Sequence, residues 1–281
     1  MEKMKGRKWK NINSEKAEKI KVLLIENGGE EQDVKSPHEK WRIRFSDSTF
    51  IYYKKGTLYS TPSTSGNPIV IKKWQEIDSI IGFQYAPPTK DFLIGLDETG
   101  RGECIGHVIL TGVMFPKEIF RKIDYCIGPV DTKRRHKFKY WDQIFRQLNL
   151  LREEGLTFIS EKIPPWHIDK YNLNKIMDIT YQKILSIFLR KIEIARCRIV
   201  LDDYGIGLKL KCFFNFLKQK GAKVIVTTNS EDIYLETKTA SLISKREREA
   251  VIKAINENPK YQIDELSIGS GNAGVPGVSA I

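Results

Sequence analysis

The sequence has no long apolar run, and this absence limits the kind of protein it encodes. Its 281 residues are 41% hydrophobic and 29% charged, an ordinary balance for a globular chain. No stretch approaches the ~20 consecutive apolar residues that a membrane-spanning helix needs. The basic N-terminus, MEKMKGRKWK, is not followed by the apolar segment of a secretory signal. We therefore expect a cytoplasmic protein that has no membrane partner.

Cysteine is scarce and scattered. The four cysteines stand at positions 104, 126, 197 and 212, and none forms the C-x-x-C pair that is typical of a zinc site. Internal repeats and low-complexity tracts are also lacking. These absences argue against a disulfide framework, a structural zinc site or a repeat protein. They favour a reduced intracellular protein. The length of 281 residues allows one large domain or two smaller ones.

The sequence has fewer acidic residues than basic ones. The chain has 47 Lys and Arg residues against 35 Asp and Glu residues, which gives a formal net charge of +12. An excess of this size favours a polyanionic partner, most simply nucleic acid. The alternative is a lysine-rich surface that only contacts water.

The first 87 residues are predicted to form a small antiparallel sheet with helices at its ends. Strands are expected at 41–45, 50–53, 58–59 and 68–71, and a helix at 74–81. Another helix is expected over 20–25, with a cap at 13–14 and an end at 27–29. One strand face carries Arg42 and Arg44, which form either a solvated face or a nucleic-acid platform. The proline-rich segment at 86–90 indicates a linker. We therefore predict two domains, 1–87 and 88–281.

After residue 88, strands and helices alternate along the chain. This pattern predicts an α/β domain with a mixed sheet flanked by helices. Strands are expected at 92–96, 108–115, 156–159, 198–201 and 223–226. A helix is expected around 138–148, and others at 169–194, 208–220 and 237–255.

Carboxylate pairs follow three of these predicted strands, at Asp97-Glu98, Asp202-Asp203 and Glu231-Asp232. Active sites in open α/β sheets collect where strands end. Converging carboxylates repel one another unless a cation lies among them, and ligand sets made only of oxygen select Mg²⁺ or Mn²⁺. Two such ions can activate a water and stabilise the leaving oxygen of a phosphodiester. The sequence leaves open whether the three strand ends are neighbours.

The turn after Asp97-Glu98 contains Gly100, Arg101 and Gly102, and glycines there let a backbone approach a ligand closely. An isolated Asp-Glu before such a turn is more simply a solvated strand end, because burying unpaired carboxylates is costly.

Five segments, in order along residues 92–255, resemble segments of the type 2 ribonucleases H. IGLDETGRG at 94–102 resembles the D-E-x-G-x-G signature, and Asp131-Thr132-Lys133 resembles an Asp-Ser-Lys motif. IVLD at 199–202 and TNSE at 228–231 resemble the segments with the third and fourth carboxylates. ASLISK at 240–245 resembles an Ala-Ser-Ile-x-Ala-Lys helix. The N-terminal sheet and the linker resemble the ribonuclease HIII branch, whose catalytic domain follows a domain similar to the TATA-binding protein.

This resemblance implies a ribonuclease H-like fold and a divalent-metal endonuclease, acting as a monomer. The implied reaction cleaves the RNA strand of RNA–DNA hybrids and leaves 5′-phosphate and 3′-OH ends. The implied catalytic and metal-binding residues are Asp97, Glu98, Asp202 and Glu231. Asp232 is a candidate metal ligand and an alternative to Glu231 as the fourth carboxylate. The implied substrate-binding residues are Gly100, Arg101 and Gly102 at the ribose 2′-OH, and Lys133, Ser241, Lys245 and Arg248 at phosphates. Lys245 and Arg248 could instead lie on a solvated helix face, and Ser241 could be a helix cap.

Two other functions fit the same fold. A catalytically silent hybrid-binding protein would keep the basic surface, but here all four carboxylate positions are filled. A DNA nuclease or strand transferase would share the metal site, but the glycine-arginine turn and the 240–245 helix fit the ribonuclease better.

Overall fold

The computed structural model describes residues 6–63, 67–82, 85–127, 138–258 and 260. The chain divides into two compact units, one within residues 1–84 and the other from Tyr85 onward. Each unit has its own sheet, with five strands among the residues described. In these ranges, no helix combines the length and the hydropathy needed to cross a membrane.

The first unit is an antiparallel sheet with two helices, in the strand order β1-β5-β4-β3-β2. Its strands are β1 (Arg7–Trp9), β2 (Glu30–Gln32), β3 (Glu39–Phe45), β4 (Ser48–Tyr53) and β5 (Thr57–Ser60). Its helices are α1 (Ser14–Glu26) and α2 (Pro68–Ile81). Along β3 the buried residues Trp41, Ile43 and Phe45 alternate with more exposed ones. The sequence shows the same alternation of apolar and basic residues. It places one face of the sheet against the core.

The strand predicted at 68–71 is wrong, because these residues form the first turn of α2. The β-branched residues there suggested a strand. Two local features start a helix instead: the Asn67 side chain accepts a hydrogen bond from the Ile69 amide at 3.0 Å, and Pro68 occupies the first helical turn, where its missing N–H costs nothing.

The second unit is a mixed sheet in the order β10-β9-β6-β7-β8. Its strands are β6 (Phe92–Thr99), β7 (Val108–Pro116), β8 (Thr157–Ile163), β9 (Cys197–Asp202) and β10 (Lys223–Thr227). Its helices are α3 (Phe120–Ile127), α4 (Phe138–Leu150), α5 (Pro165–Lys170), α6 (Leu173–Leu189), α7 (Leu208–Gln219) and α8 (Leu235–Glu257). β6, β9 and β10 run parallel, whereas β7 and β8 are antiparallel to their neighbours. The predicted α/β class, a mixed sheet preceded by an antiparallel one, is confirmed.

The helix predicted at 169–194 is wrong as a single element. α5 ends at Lys170, Tyr171 is extended, and α6 begins after Asn172. The Asn172 side chain accepts a hydrogen bond from the Lys175 amide at 3.1 Å, so it caps the second helix. The continuous apolar pattern hid this break.

The central strand β6 contacts a helix on each face. Ile94 and Leu96 belong to a core that includes Tyr181 and Ile184 of α6. On the opposite face, a Cβ added to Gly95 would lie 2.1 Å from the carbonyl carbon of Glu236 in α8. Only glycine allows a helix backbone to lie this close to a strand.

A buried ion pair fixes the start of α8. The Arg198 guanidinium on β9 donates to both Glu236 carboxylate oxygens, at 2.7 and 3.0 Å, and both side chains are 1% exposed or less. Arg198 also donates to the carbonyl oxygens of Ala86 and Pro87. One cation thus ties the first residues of this unit, β9 and α8 together, and removing either partner would leave a buried charge.

The Gly95→Ala variant should be severely destabilised, by more than ~3 kcal/mol, because its Cβ would overlap backbone atoms that cannot rotate away. Urea-induced unfolding measures this change. Ser186→Ala, at an exposed position on α6, is the control and should change stability by less than ~0.5 kcal/mol. An unfolding midpoint of Gly95→Ala close to that of the control would contradict the close packing of α8 on β6.

Candidate active site

The sheet brings two of the predicted carboxylates to adjacent positions at one edge. β6 and β9 are parallel, with Leu96 opposite Leu201, so Asp97 and Asp202 occupy the next rung. Asp202 in turn is opposite Thr227, the last residue of β10. Neighbouring strands lie about 4.8 Å apart. The three strand ends are therefore neighbours, which the sequence left open.

Asp97 and Glu98 lie on opposite faces of β6, because successive side chains alternate. Asp97 shares the face of Gly95 and is hydrogen-bonded to Ser241 of α8. Glu98 faces α6, where the Tyr181 hydroxyl donates to its Oε2 at 3.3 Å. Each carboxylate thus has a hydroxyl partner on a different helix.

A tight turn positions the last carboxylates. Asn229 is left-handed, with φ 52°, and the Ser230 amide donates to Asp202 Oδ1 at 2.7 Å. The turn holds Glu231 close enough for its charge to act on Asp97, whereas Asp232 is exposed. Asp203 is also exposed, and it accepts a hydrogen bond from the Gly205 amide at 2.9 Å.

The site concentrates negative charge in a largely buried position. Asp97 is 6% exposed, and burial raises its pKa to about 7; Asp202 and Glu231 add to the increase, whereas Lys245 and the Ser241 hydrogen bond oppose it. Burial, followed by the charges of Asp97 and Asp202, raises the pKa of Glu98 to about 8. The two acids therefore hold protons near neutral pH unless a positive charge compensates for them.

Two residues of α8 lie directly beside Asp97. Lys245 Nζ donates to Ser241 Oγ at 2.8 Å, and the two residues are one helical turn apart on the same face. Ser241 is 1% exposed. It is neither a cap nor a surface group, and its hydroxyl orients Asp97. Lys245 is half-buried, and its charge favours the ionised form of Asp97.

The glycine-arginine turn follows β6 at the same edge. Gly100 and Gly102 have φ values of 92° and 78°, which are strained for other residues. A Cβ on Gly102 would meet no atom within 4 Å, so the turn is open on that side. The exposed Arg101 guanidinium donates to the Tyr204 carbonyl oxygen at 3.0 Å and to Asn174 Oδ1 at 3.4 Å.

Residues 94–279 match the family model described as ribonuclease HII. The chain belongs to the ribonuclease HII family. It is 32% identical over 181 residues to the ribonuclease HII of Methanobrevibacter smithii, covering 64% of this chain and 81% of that protein. It is 26% identical over 198 residues to the ribonuclease HIII of Aquifex aeolicus, covering 69% of this chain and 68% of that protein. The prediction of a type 2 ribonuclease H enzyme is confirmed, with relatives in both branches.

Among solved structures, the crystal structure of Aquifex aeolicus RNase H3 matches with a TM-score of 0.44 at 23% identity. The match covers 89% of this chain and 86% of that chain.

Arg248 of this ribonuclease H has a role that the sequence did not predict. The sequence suggested a phosphate contact or a solvated helix face, but Arg248 is only 4% exposed. Its guanidinium donates to the carbonyl oxygens of Ile105 and His107, at 2.8 and 2.6 Å, and to the carboxylate of Glu103 at 2.8 Å. Arg248 therefore braces the loop that contains Arg101.

A hydroxyl network behind the turn was also missed. Tyr204 packs its ring against that of Tyr181, with centroids 5.8 Å apart, and donates its hydroxyl to Asp178 Oδ1 at 2.7 Å. Asp178 also accepts from the Gly207 amide at 3.0 Å. The signal was present in the sequence, because Asp178 and Tyr181 are polar groups on the apolar face of α6, where an unpaired polar group would be costly.

The described residues include neither every predicted site residue nor a ready-made metal site. Lys133, with Asp131 and Thr132, lies outside the described residues. Within the described ranges, no three His, Cys, Asp or Glu side chains are arranged as a ready-made metal site. The carboxylates act on one another electrostatically but do not form a closed ligand set.

The Asp97→Asn variant should make the metal-free protein more stable at alkaline pH. The folded pKa of Asp97 is about 7, against 3.8 when unperturbed, so the destabilisation from ionising it grows as pH rises from about 4 to 7 and is complete above that range. We expect a gain of about 1–3 kcal/mol at pH 8, less than the isolated shift implies because Glu98 is coupled to the same charge, and little gain at pH 4.

Thermal unfolding with a chelator at pH 4 and pH 8 checks this effect. The matched control is Asp203→Asn, a nearby exposed carboxylate whose replacement can still accept the Gly205 hydrogen bond. An Asp97→Asn variant less stable than wild type at pH 8 would contradict the electrostatic cost assigned to Asp97.

Proposed function

We propose that this protein is a metal-dependent endonuclease that cleaves the RNA strand of RNA–DNA hybrids and leaves 5′-phosphate and 3′-OH ends. The observation that carries the proposal is the adjacent placement of Asp97 and Asp202 at a sheet edge. Glu231 is close enough to raise the pKa of Asp97, and Glu98 is close enough for Asp97 and Asp202 to raise its pKa. Such crowding of acids is unfavourable without a cation.

The residues at this edge fit a hard divalent cation. The donors are all carboxylate oxygens, the set that selects Mg²⁺ or Mn²⁺. Asp97, Glu98, Asp202 and Glu231 would hold the metal, and the exposed Asp232 is the weaker candidate. When bound, the metal would lower the pKa of a water and stabilise charge on the phosphate.

The chain's own groups would orient the substrate. Ser241 and Tyr181 hold Asp97 and Glu98 in place by hydrogen bonds. Lys245 would pair with a phosphate oxygen near the cut. Water would attack the phosphorus in line with the 3′-oxygen, and the P–O3′ bond would break. Preorganised charges of this kind lower the barrier without reorganisation during the reaction.

The turn at Gly100, Arg101 and Gly102 would recognise RNA. Its glycines are left-handed, and the space beside the Gly102 Cα is open, so a ligand can approach the backbone there. Its arginine is fixed by Tyr204 and Asn174. The ribose 2′-OH distinguishes RNA from DNA, and the resemblance of the turn to the family signature supports assigning this contact to it. Lys133 is a further phosphate contact on the same resemblance.

The first unit, residues 1–87 in the proposed division, would contribute to binding the hybrid, and residues 88–281 would form the catalytic unit. Across its sheet, from β1 to β3, Lys8 lies opposite Tyr59, Tyr59 opposite Ile51, and Ile51 opposite Arg42. Lys8 and Arg44 on this face are exposed. Basic groups interleaved with an aromatic ring form a surface suited to a phosphate backbone. We further expect the enzyme to act as a monomer in the cytoplasm.

Asp97→Asn and Asp202→Asn should each lower hybrid cleavage by at least ~10³-fold, since each removes a charge that would hold the metal. A labelled hybrid of about 20 base pairs, incubated with Mg²⁺ or Mn²⁺, gives the rates, and a chelator should stop the reaction. Asp203→Asn should cleave as wild type does. Duplex DNA of the same sequence should stay intact.

The outcomes separate the candidate functions. Tight binding of the hybrid without cleavage by wild type would indicate the catalytically silent binding protein. Cleavage of duplex DNA would indicate the DNA nuclease. Near wild-type cleavage by Asp97→Asn would contradict the role of the carboxylate edge.

A variant with Lys8→Ala and Arg44→Ala should bind the hybrid more weakly, and the slope of log affinity against log salt should fall by about 2 because two phosphate contacts are lost. Fluorescence anisotropy across a salt series in the Asp97→Asn background measures both quantities. The charge-matched control replaces Lys19 and Lys21, which pair with Glu15 and Glu31. Equal effects of the two double variants would contradict the proposed surface.

A further inference from the structure

Three aromatic side chains on and after α5 form an exposed cluster in the catalytic unit. Trp166 is 61% exposed and Tyr171 is 58% exposed. The His167 ring lies between them, with its centroid 4.2 Å from that of Trp166 and 5.7 Å from that of Tyr171. We name Trp166, His167 and Tyr171 the aromatic platform. Leaving a Trp and a Tyr in water forgoes much apolar burial, so such a cluster marks an interaction site.

The register of the sheet places one end of the platform at the active-site edge. Thr99, the last residue of β6, is opposite Ile109, and Ile109 is opposite Lys162. β8 ends one residue later, at Ile163, and α5 begins at Pro165. The platform therefore starts at the sheet edge that carries Asp97 and Glu98, two strands or about 10 Å across the sheet from β6.

The other end of the platform is tied to the arginine turn. Tyr171 is three residues before Asn174, whose side chain accepts a hydrogen bond from Arg101 at 3.4 Å and donates to the Gly205 carbonyl oxygen at 3.3 Å. Three residues span at most about 11 Å. One end of the platform is therefore fixed relative to the strand that carries Asp97 and Glu98, and the other end is fixed relative to Arg101.

The chemistry around the platform fits a polyanion. Lys170 and Lys175 are exposed on either side of Tyr171. Pro164 and Pro165 restrict the backbone that leads into α5, so the rings need little further ordering before they bind. Ile168 packs against the core, which anchors the helix while the rings face outward. Aromatic rings flanked by lysines are the combination that stacks on nucleotides and tracks a backbone.

We propose that the aromatic platform binds one strand of the nucleic-acid substrate a few nucleotides from the cleavage point, with Trp166 and Tyr171 stacking on its sugar or base rings. This inference rests on the proposed function. At 3.4 Å per nucleotide along a strand, the distance of about 10 Å across the sheet corresponds to about three nucleotides.

The test measures hybrid binding by fluorescence anisotropy in the Asp97→Asn background, where cleavage does not interfere. Trp166→Ala should weaken the binding of a hybrid of about 20 base pairs by about 10-fold, within the range for loss of one stacking contact. Trp166→Phe should restore most of the affinity, because it keeps a ring. The loss should shrink for hybrids too short to reach the platform.

Phe216→Ala is the matched control. Phe216 is 47% exposed and lies in the last turn of α7, just before β10 begins, so it is near the sheet edge opposite the carboxylates. Its replacement should leave hybrid affinity unchanged. Because Trp166 and Phe216 are both exposed, both variants should fold, and their thermal unfolding midpoints check this.

The results separate the platform from the proposed function. If wild type cleaves the hybrid but Trp166→Ala binds it as tightly as Phe216→Ala does, the platform proposal is overturned and the catalytic proposal stands. That result would indicate that the rings serve a protein partner or a second copy of the chain. If wild type neither binds nor cleaves any hybrid, both proposals fail.

Discussion

The contact on which the catalytic unit depends is the approach of α8 to β6 at Gly95, where no side chain fits between helix and strand. This contact sets the height of α8 over the sheet, and so it brings Ser241 and Lys245 beside Asp97. The same helix carries Arg248 to the loop after β6. One missing Cβ therefore determines the position of the groups that contact Asp97 and of the glycine-arginine turn, because a rigid helix carries all these groups together.

That arrangement has an electrostatic cost. Burial and the charges of neighbouring carboxylates raise the pKa of Asp97 to about 7 and that of Glu98 to about 8, and Lys245 offsets the increase at Asp97 only in part. A site that was only structural would lose nothing by replacing them with neutral groups. Retaining the charges is reasonable only if a cation is bound there during function, and perturbed acids of this kind are typical of functional sites.

The sequence predicted the alternation of strands and helices and the carboxylates at strand ends, because both are local patterns of apolar period and chain order. It could not predict that Asp97 and Asp202 share a rung, since strand order and register depend on long-range pairing. It missed the break at Tyr171 because one Asn cap interrupts a continuous apolar pattern. It misread Arg248 because whether a helical arginine is solvated depends on which loop covers it. The strand predicted at 68–71 was wrong because the Asn67 cap and Pro68 favour a helix more strongly than the β-branched residues favour a strand.

The break at Tyr171 also bears on how the proposed substrate would reach this edge of the sheet. A continuous helix from 169 to 194 would have directed its first turns along the α6 axis. Instead, α5 ends at Lys170, Asn172 caps α6, and Tyr171 between them is extended and exposed, with its ring against that of His167. The same cap fixes Asn174 near Arg101. A single capping residue therefore links the position of the aromatic platform to that of the arginine turn, and under the proposed function a substrate strand that contacts one would be directed toward the other.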